Sequence, residues 1–192
     1  MSDSLHTLKV FFPGRRYSID RSFLYFLDKY IDGDSIYLDY DHKRYEKDEL
    51  TIEEDVARAY KIAKEKLTNI DYTKYSEIIF IAKSLGTVVA GKIREELKMD
   101  RIRFICLTPL NETLSFLKQT DFILTSHADK HIDVSSLEEK SFMYPFLTIY
   151  DDVSHSLEYP NNYAKTIDFL KINLDLILNY LDTSYKDILL GN

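Results

Sequence analysis

Strands alternating with helices predict an α/β fold, with a mostly parallel sheet covered on both faces. Two observations carry this. Apolar runs such as 8–12, 78–81 and 102–107 are short, rich in β-branched and aromatic residues, and, Lys9 and Arg103 apart, continuous in apolar character rather than alternating. Between them lie stretches whose apolar residues recur three and four apart, the spacing of one helix face. No repeat, low-complexity tract or linker interrupts the pattern, so residues 1–192 read as one domain.

Leu8-Lys9-Val10-Phe11-Phe12 forms the first strand, halted by Pro13-Gly14. Asp20 then caps a helix carrying Phe23, Leu24, Leu27, Tyr30 and Ile31 at helical spacing. Asp32-Gly33-Asp34 closes that helix and residues 35–40 make the second strand, followed by a charged loop over 41–48. Thr51 and Glu54 make a capping box for a helix with Ile52, Val56, Ala59, Ala63 and Leu67 on one face. The third strand ends at Ala82, and a helix runs from Leu85 to about Lys98. Residues 102–107 are the fourth strand, 111–117 a short helix, 122–125 the fifth strand and 146–150 the sixth. A long last helix places Tyr163, Ile167, Leu170, Leu174, Ile177 and Leu181 in one stripe, with Phe169, Ile172 and Leu176 beside it. That wide apolar face packs against the sheet and is also a candidate homodimer contact.

Composition narrows the function. Lys and Arg number 25 against 32 Asp and Glu, a net charge of −7 with no basic patch, which disfavours nucleic acid as a partner. No apolar run approaches 18 residues, and the first six residues lack a basic region followed by an apolar stretch. Neither a membrane span nor a secretory signal is expected. The single cysteine, Cys106, falls inside a strand; a buried thiol suits a reducing, cytoplasmic setting. The 15 Tyr and 11 Phe lie mostly in strands and on helix faces, which suits core packing.

The third strand stops abruptly in Ala82-Lys83-Ser84-Leu85-Gly86 before a helix. A serine on such a turn, with small residues two before and two after, has the pattern of a nucleophile elbow. The turn holds the serine in a strained conformation, and strand and helix approach so closely that only Gly, Ala or Ser fits at the flanks. In an open parallel sheet, reactive groups gather beyond the carboxyl ends of the strands. There the first strand presents Pro13-Gly14-Arg15, the third Ser84, the fifth leads to Asp129 and the sixth to His155.

On these residues the chain resembles the α/β-hydrolase superfamily over nearly its whole length. The elbow, Ala128-Asp129 after the penultimate strand, and His155-Ser156-Leu157 after the last strand match that family's motifs in order. The resemblance implies a Ser84–His155–Asp129 triad. It also implies a minimal three-layer α/β/α sandwich of about six strands in the order 2-1-3-4-5-6. Ala82 replaces the usual first glycine, and Pro13-Gly14 stands where the family often has His-Gly. Residues 108–121 leave no room for a large lid domain.

In such a triad His155 takes the proton of Ser84 and later returns it to the leaving group, while Asp129 orients the imidazole. The backbone N–H groups of Leu85 and Arg15 are the expected oxyanion donors, each worth about 100- to 1000-fold in rate. The expected substrate class is a small ester or thioester, and no cofactor is expected. Several choices stay open: Asp133 and Asp121 compete with Asp129, and His127 and His131 with His155. The string 127–133 also invites a zinc or manganese reading, although no further His/Cys cluster completes a site. Arg15 and Arg16 either bind an acidic substrate group or form a solvated pair. The rival functions are a non-catalytic protein binding a small molecule or protein partner on the same fold, and a flavodoxin-like nucleotide binder. The latter is poorly served by Pro13-Gly14-Arg15-Arg16, with its single glycine.

Overall fold

A computed structural model describes residues 6–40 and 50–183. The charged loop expected at 41–48 and most of the N-terminal segment read for a signal lie outside the described residues. Six strands form one sheet in the order β2-β1-β3-β4-β5-β6, every pairing parallel. They are β1 (Thr7–Phe12), β2 (Asp34–Tyr37), β3 (Glu77–Lys83), β4 (Ile102–Leu107), β5 (Phe122–Ser126) and β6 (Leu147–Tyr150). The helices are α1 (Ser22–Tyr30), α2 (Ile52–Leu67), α3 (Leu85–Leu97), α4 (Val134–Glu138) and α5 (Tyr163–Asp182). Among the described residues, no helix is long and apolar enough to cross a membrane.

The continuous apolar strands divide their side chains between two cores because successive residues point to opposite faces. Leu8, Val10, Phe12, Ile78, Phe80 and Ala82 pack with α2 and α3. Phe11, Ile79, Ile81, Ile105 and Leu107 pack with α1 and α5 on the other side. The three layers follow from this division, and Cys106 is buried in the first of the two cores.

Both halves of the capping box form at α2: Glu54 N donates to Thr51 Oγ1 at 3.2 Å and Thr51 N to the Glu54 carboxylate at 2.9 Å. Ile52 does not join the buried face; it is exposed, beside the site described below. Asp20 does not cap α1. A turn closed by Arg21 N donating to Ser18 O intervenes, and Arg21 becomes the N-cap residue.

The expected stripe of α5 packs on the second core from Leu170 onward, with Leu170, Leu174, Ile177 and Leu181 against it, but its first turns do not. Tyr163, Ile167, Ile172 and Leu176 are exposed, while Phe169, Asn173, Ile177 and Tyr180 are buried. Asn173 and Tyr180, which the apolar stripe does not include, both find polar partners inside. Asn173 Nδ2 donates to Phe169 O at 2.8 Å and to Tyr150 Oη at 3.0 Å, and Tyr180 Oη to Thr120 O at 2.8 Å. Satisfied polar atoms let a mixed face bury.

Candidate active site

Ser84 occupies the turn between β3 and α3 with φ 53° and ψ −123°, a region that side chains seldom adopt. Three hydrogen bonds hold it there. Its N–H donates to Leu107 O at 3.0 Å, and its carbonyl accepts from Thr87 N at 2.8 Å and Thr87 Oγ1 at 2.6 Å. A Cβ on Gly86 would lie 2.1 Å from Phe12 O, so this flank does not admit even alanine; here the sequence expectation was too permissive. A Cβ on Gly14 would come within 3.3 Å of Lys83 O and Ser84 Cβ, so the loop after β1 lies directly on the elbow.

His155, 71 residues further on, brings Nε2 to 2.7 Å from Ser84 Oγ. Its Nδ1 lies 2.7 Å from Asp129 Oδ2, and Asp129 Oδ1 accepts His131 N at 2.9 Å. The Asp129 side chain is wholly buried and the imidazole partly so. Burial raises the Asp129 pKa, but the hydrogen bonds from His155 and His131, with the charges of His155 and Lys83, outweigh it and leave the carboxyl below its ordinary range. Burial pushes the His155 pKa down; the Asp129 hydrogen bond opposes this, and the charges of Lys83 and His131 reinforce it.

Of the competing residues, Asp121, Asp133 and His127 are engaged elsewhere, while His131 flanks the site. Asp121 is buried against Arg94 at 2.6 Å. Asp133 is the N-cap residue of α4 and accepts from Ser136 Oγ at 2.8 Å. His127 pairs with Glu138 at 3.2 Å. His131 stacks obliquely on His155, ring centres 4.5 Å apart.

Asp129, His131 and His155 each bring one ligand atom within 4.8 Å of the others. Yet the Asp129 oxygen and His155 Nδ1 stand 2.7 Å apart, a hydrogen-bond distance. Tetrahedral zinc, with bonds of about 2.0–2.1 Å, would spread its ligands to roughly 3.4 Å. The geometry suits a shared proton.

A cavity of about 280 Å³ opens at Ser84, walled by Arg15, Arg16, Tyr17, Ile52, Leu110 and His131 among others. Leu85, the first residue of α3, and Arg15, in the loop after β1, both line this space. The Arg15 side chain is held by an ion pair of 3.0 Å with Asp55, a fully buried carboxylate that also pairs with Arg58 at 2.5 Å. Arg16 is exposed at the rim.

Sequence reasoning passed over Asp55, Lys83 and Thr108. Asp55 carried a signal: it lies four and eight residues before Ala59 and Ala63, on the small-residue stripe of α2 that the sheet covers. Lys83 is also wholly buried. Thr108, at φ 42° after β4, had no local signature; its N–H donates to Leu124 O on β5 at 2.7 Å.

No protein-family model matches the chain, and no curated protein does. Solved structures do. A protein of unknown function from Agrobacterium tumefaciens, described as a candidate α/β hydrolase, aligns with 15% identity over 91% of this chain and 86% of its own, TM-score 0.57. The esterase Pf2001 of Pyrococcus furiosus aligns with 14% identity over 92% and 82%, TM-score 0.56. Est1E of Butyrivibrio proteoclasticus, with ferulic acid bound, aligns with 13% identity over 90% of each chain, TM-score 0.55. At such identities the likeness is one of fold: the chain has the α/β-hydrolase fold.

Proposed function

We propose that this chain of α/β-hydrolase fold is a serine hydrolase that cleaves a small ester or thioester through a Ser84–His155–Asp129 triad. The observation that carries the reading is the unbroken relay of 2.7 Å contacts from Ser84 Oγ through His155 to Asp129. The hydrolase and esterase descriptions of proteins sharing the fold support it.

His155 Nε2 takes the hydroxyl proton as Ser84 Oγ bonds to the acyl carbon, whose carbonyl π electrons move to oxygen. The oxyanion is met by the N–H of Leu85, at the start of α3, and by that of Arg15. Asp129, ionised, stabilises the imidazolium. Collapse breaks the bond to the leaving alcohol or thiol, which takes the proton from His155 and departs. Water, deprotonated by the same imidazole, then releases the acid and restores Ser84. The cavity of about 280 Å³, with Ile52 and Leu110 in its wall, suits a modest acyl group.

A fluorophosphonate probe tests the mechanism. One label per chain is expected on the wild type and none on Ser84→Ala. Labelling that survives Ser84→Ala removes Ser84 from the chemistry. A folded wild type that takes no label and turns over no activated ester points instead to a binding protein on this fold.

A further inference from the structure

Lys83 is an unexpected residue in its place. It ends β3 directly before Ser84, is 1% exposed, and carries an ammonium out of water. Nζ donates to Thr108 Oγ1 and, at 2.7 Å, to the carbonyl oxygen of His155. It also lies 5.2 Å from the centre of the Tyr17 ring. Thr108 Oγ1 approaches the same His155 carbonyl at 3.4 Å. The end of β3, the end of β4, the loop after β1 and the loop after β6 thus meet at a single nitrogen. An apolar side chain of similar length would fill this volume without the desolvation that a buried charge suffers.

The segment it grips has little framework of its own. Residues 151–162 contain neither helix nor strand, and their internal support includes Ser154 N to Glu158 O at 2.9 Å and Leu157 N to Ser154 O at 2.8 Å. Asp129 holds the His155 ring from one side; Lys83 holds its backbone from the other.

We propose that Lys83 is a positioning residue: by gripping the His155 carbonyl from the strand that bears Ser84, it sets the imidazole against the serine hydroxyl. Its consequence for rate rests on the hydrolase reading, whereas its hold on the imidazole does not. A misplacement of about 1 Å at such a site costs on the order of 100-fold.

The ammonium also acts through its charge. The charged and titratable groups facing the imidazole are Asp129, His131 and Lys83; the first raises its pKa, and the other two lower it. Burial brings Lys83 itself down to about 7, against the upward pull of Asp129. Protonated Lys83 therefore helps keep His155 in its basic form below neutrality. Above pH 7 the neutral amine still donates a hydrogen bond while His155 is already neutral, so the charge effect belongs to the acid side alone.

Lys83→Met decides the matter with two readouts. In turnover of an activated ester, kcat is expected to fall about tenfold or more with KM little changed. The ascending limb of kcat/KM should move to higher pH by roughly half a unit. Lys83→Arg, which keeps donor and charge, should recover part of both. Independently, the His155 Cε1–H resonance, assigned by its loss in His155→Gln, should titrate at higher pH in Lys83→Met than in wild type. A folded Lys83→Met with wild-type kcat and an unmoved His155 titration overturns the proposal; where that variant does not fold, Lys83→Gln is read by the same two criteria. Should the wild type turn over no ester, the hydrolase reading fails alone, and the NMR titration still decides the role of Lys83.

Discussion

Asp129 Oδ2 and His155 Nδ1 lie 2.7 Å apart across 26 residues of chain, and the other carboxylate oxygen is occupied by the N–H of His131. The carboxylate is thus fixed at both oxygens and has one orientation to offer the ring. An amide in its place can present an N–H to Nδ1 and select the wrong tautomer. Asp129→Asn should therefore lower kcat on an activated ester by on the order of 10³- to 10⁴-fold with KM little changed. Asp133→Asn should leave kcat within about twofold, since that side chain serves Ser136 at the start of α4. Steady-state kinetics of the two variants separates the candidate acids.

The acid limb of the pH profile follows from the direction of the His155 shift. Burial disfavours the charged ring, so the folded pKa lies below the ordinary value of about 6.5. The base form then persists to lower pH than an exposed histidine would allow. The midpoint of the rise in kcat/KM should fall below pH 6.5, and a midpoint above it would contradict this account of the ring's surroundings.

Gly86 faces the backbone of β1, where a Cβ would stand 2.1 Å from Phe12 O and 2.6 Å from Pro13 O. Backbone cannot rotate away as a side chain can. Gly86→Ala should cost about 3 kcal/mol or more in urea unfolding. It should also depress activity, by pushing the Pro13-Gly14-Arg15 loop off the elbow. Gly14→Ala, whose nearest contacts are 3.3 Å, should be markedly milder in both measurements.

Arg94 on α3 reaches both oxygens of Asp121 at 2.6 and 2.9 Å, donates to Phe116 O, and packs 4.7 Å from the Phe104 ring centre. Removing one partner strands a buried charge. Arg94→Leu should destabilise the fold by about 3–5 kcal/mol in equilibrium unfolding. The double variant Arg94→Leu, Asp121→Leu should recover a large part of that loss, because the uncompensated carboxylate is gone too.

The amino-acid sequence by itself determined the alternation of strands and helices, the elbow at Ser84 and the capping box at Thr51. Each rests on neighbours within about four residues, where periodicity and turn chemistry act directly. It narrowed the site to Ser84, one of three acids and one of three histidines, and there local information ended. Only the tertiary structure placed Asp129 rather than Asp133 or Asp121 against His155, since that choice depends on how far loops after β5 and β6 travel over the sheet edge. The same holds for the buried ammonium of Lys83, the meeting of Arg15 with the Asp55 carboxylate, and the contact of Asn173 with Tyr150. A polar atom reveals its place in a fold through the partner it finds, and these partners (Thr108, His155, Arg15 and Tyr150) stand on other strands and loops, out of reach of any pattern along the chain.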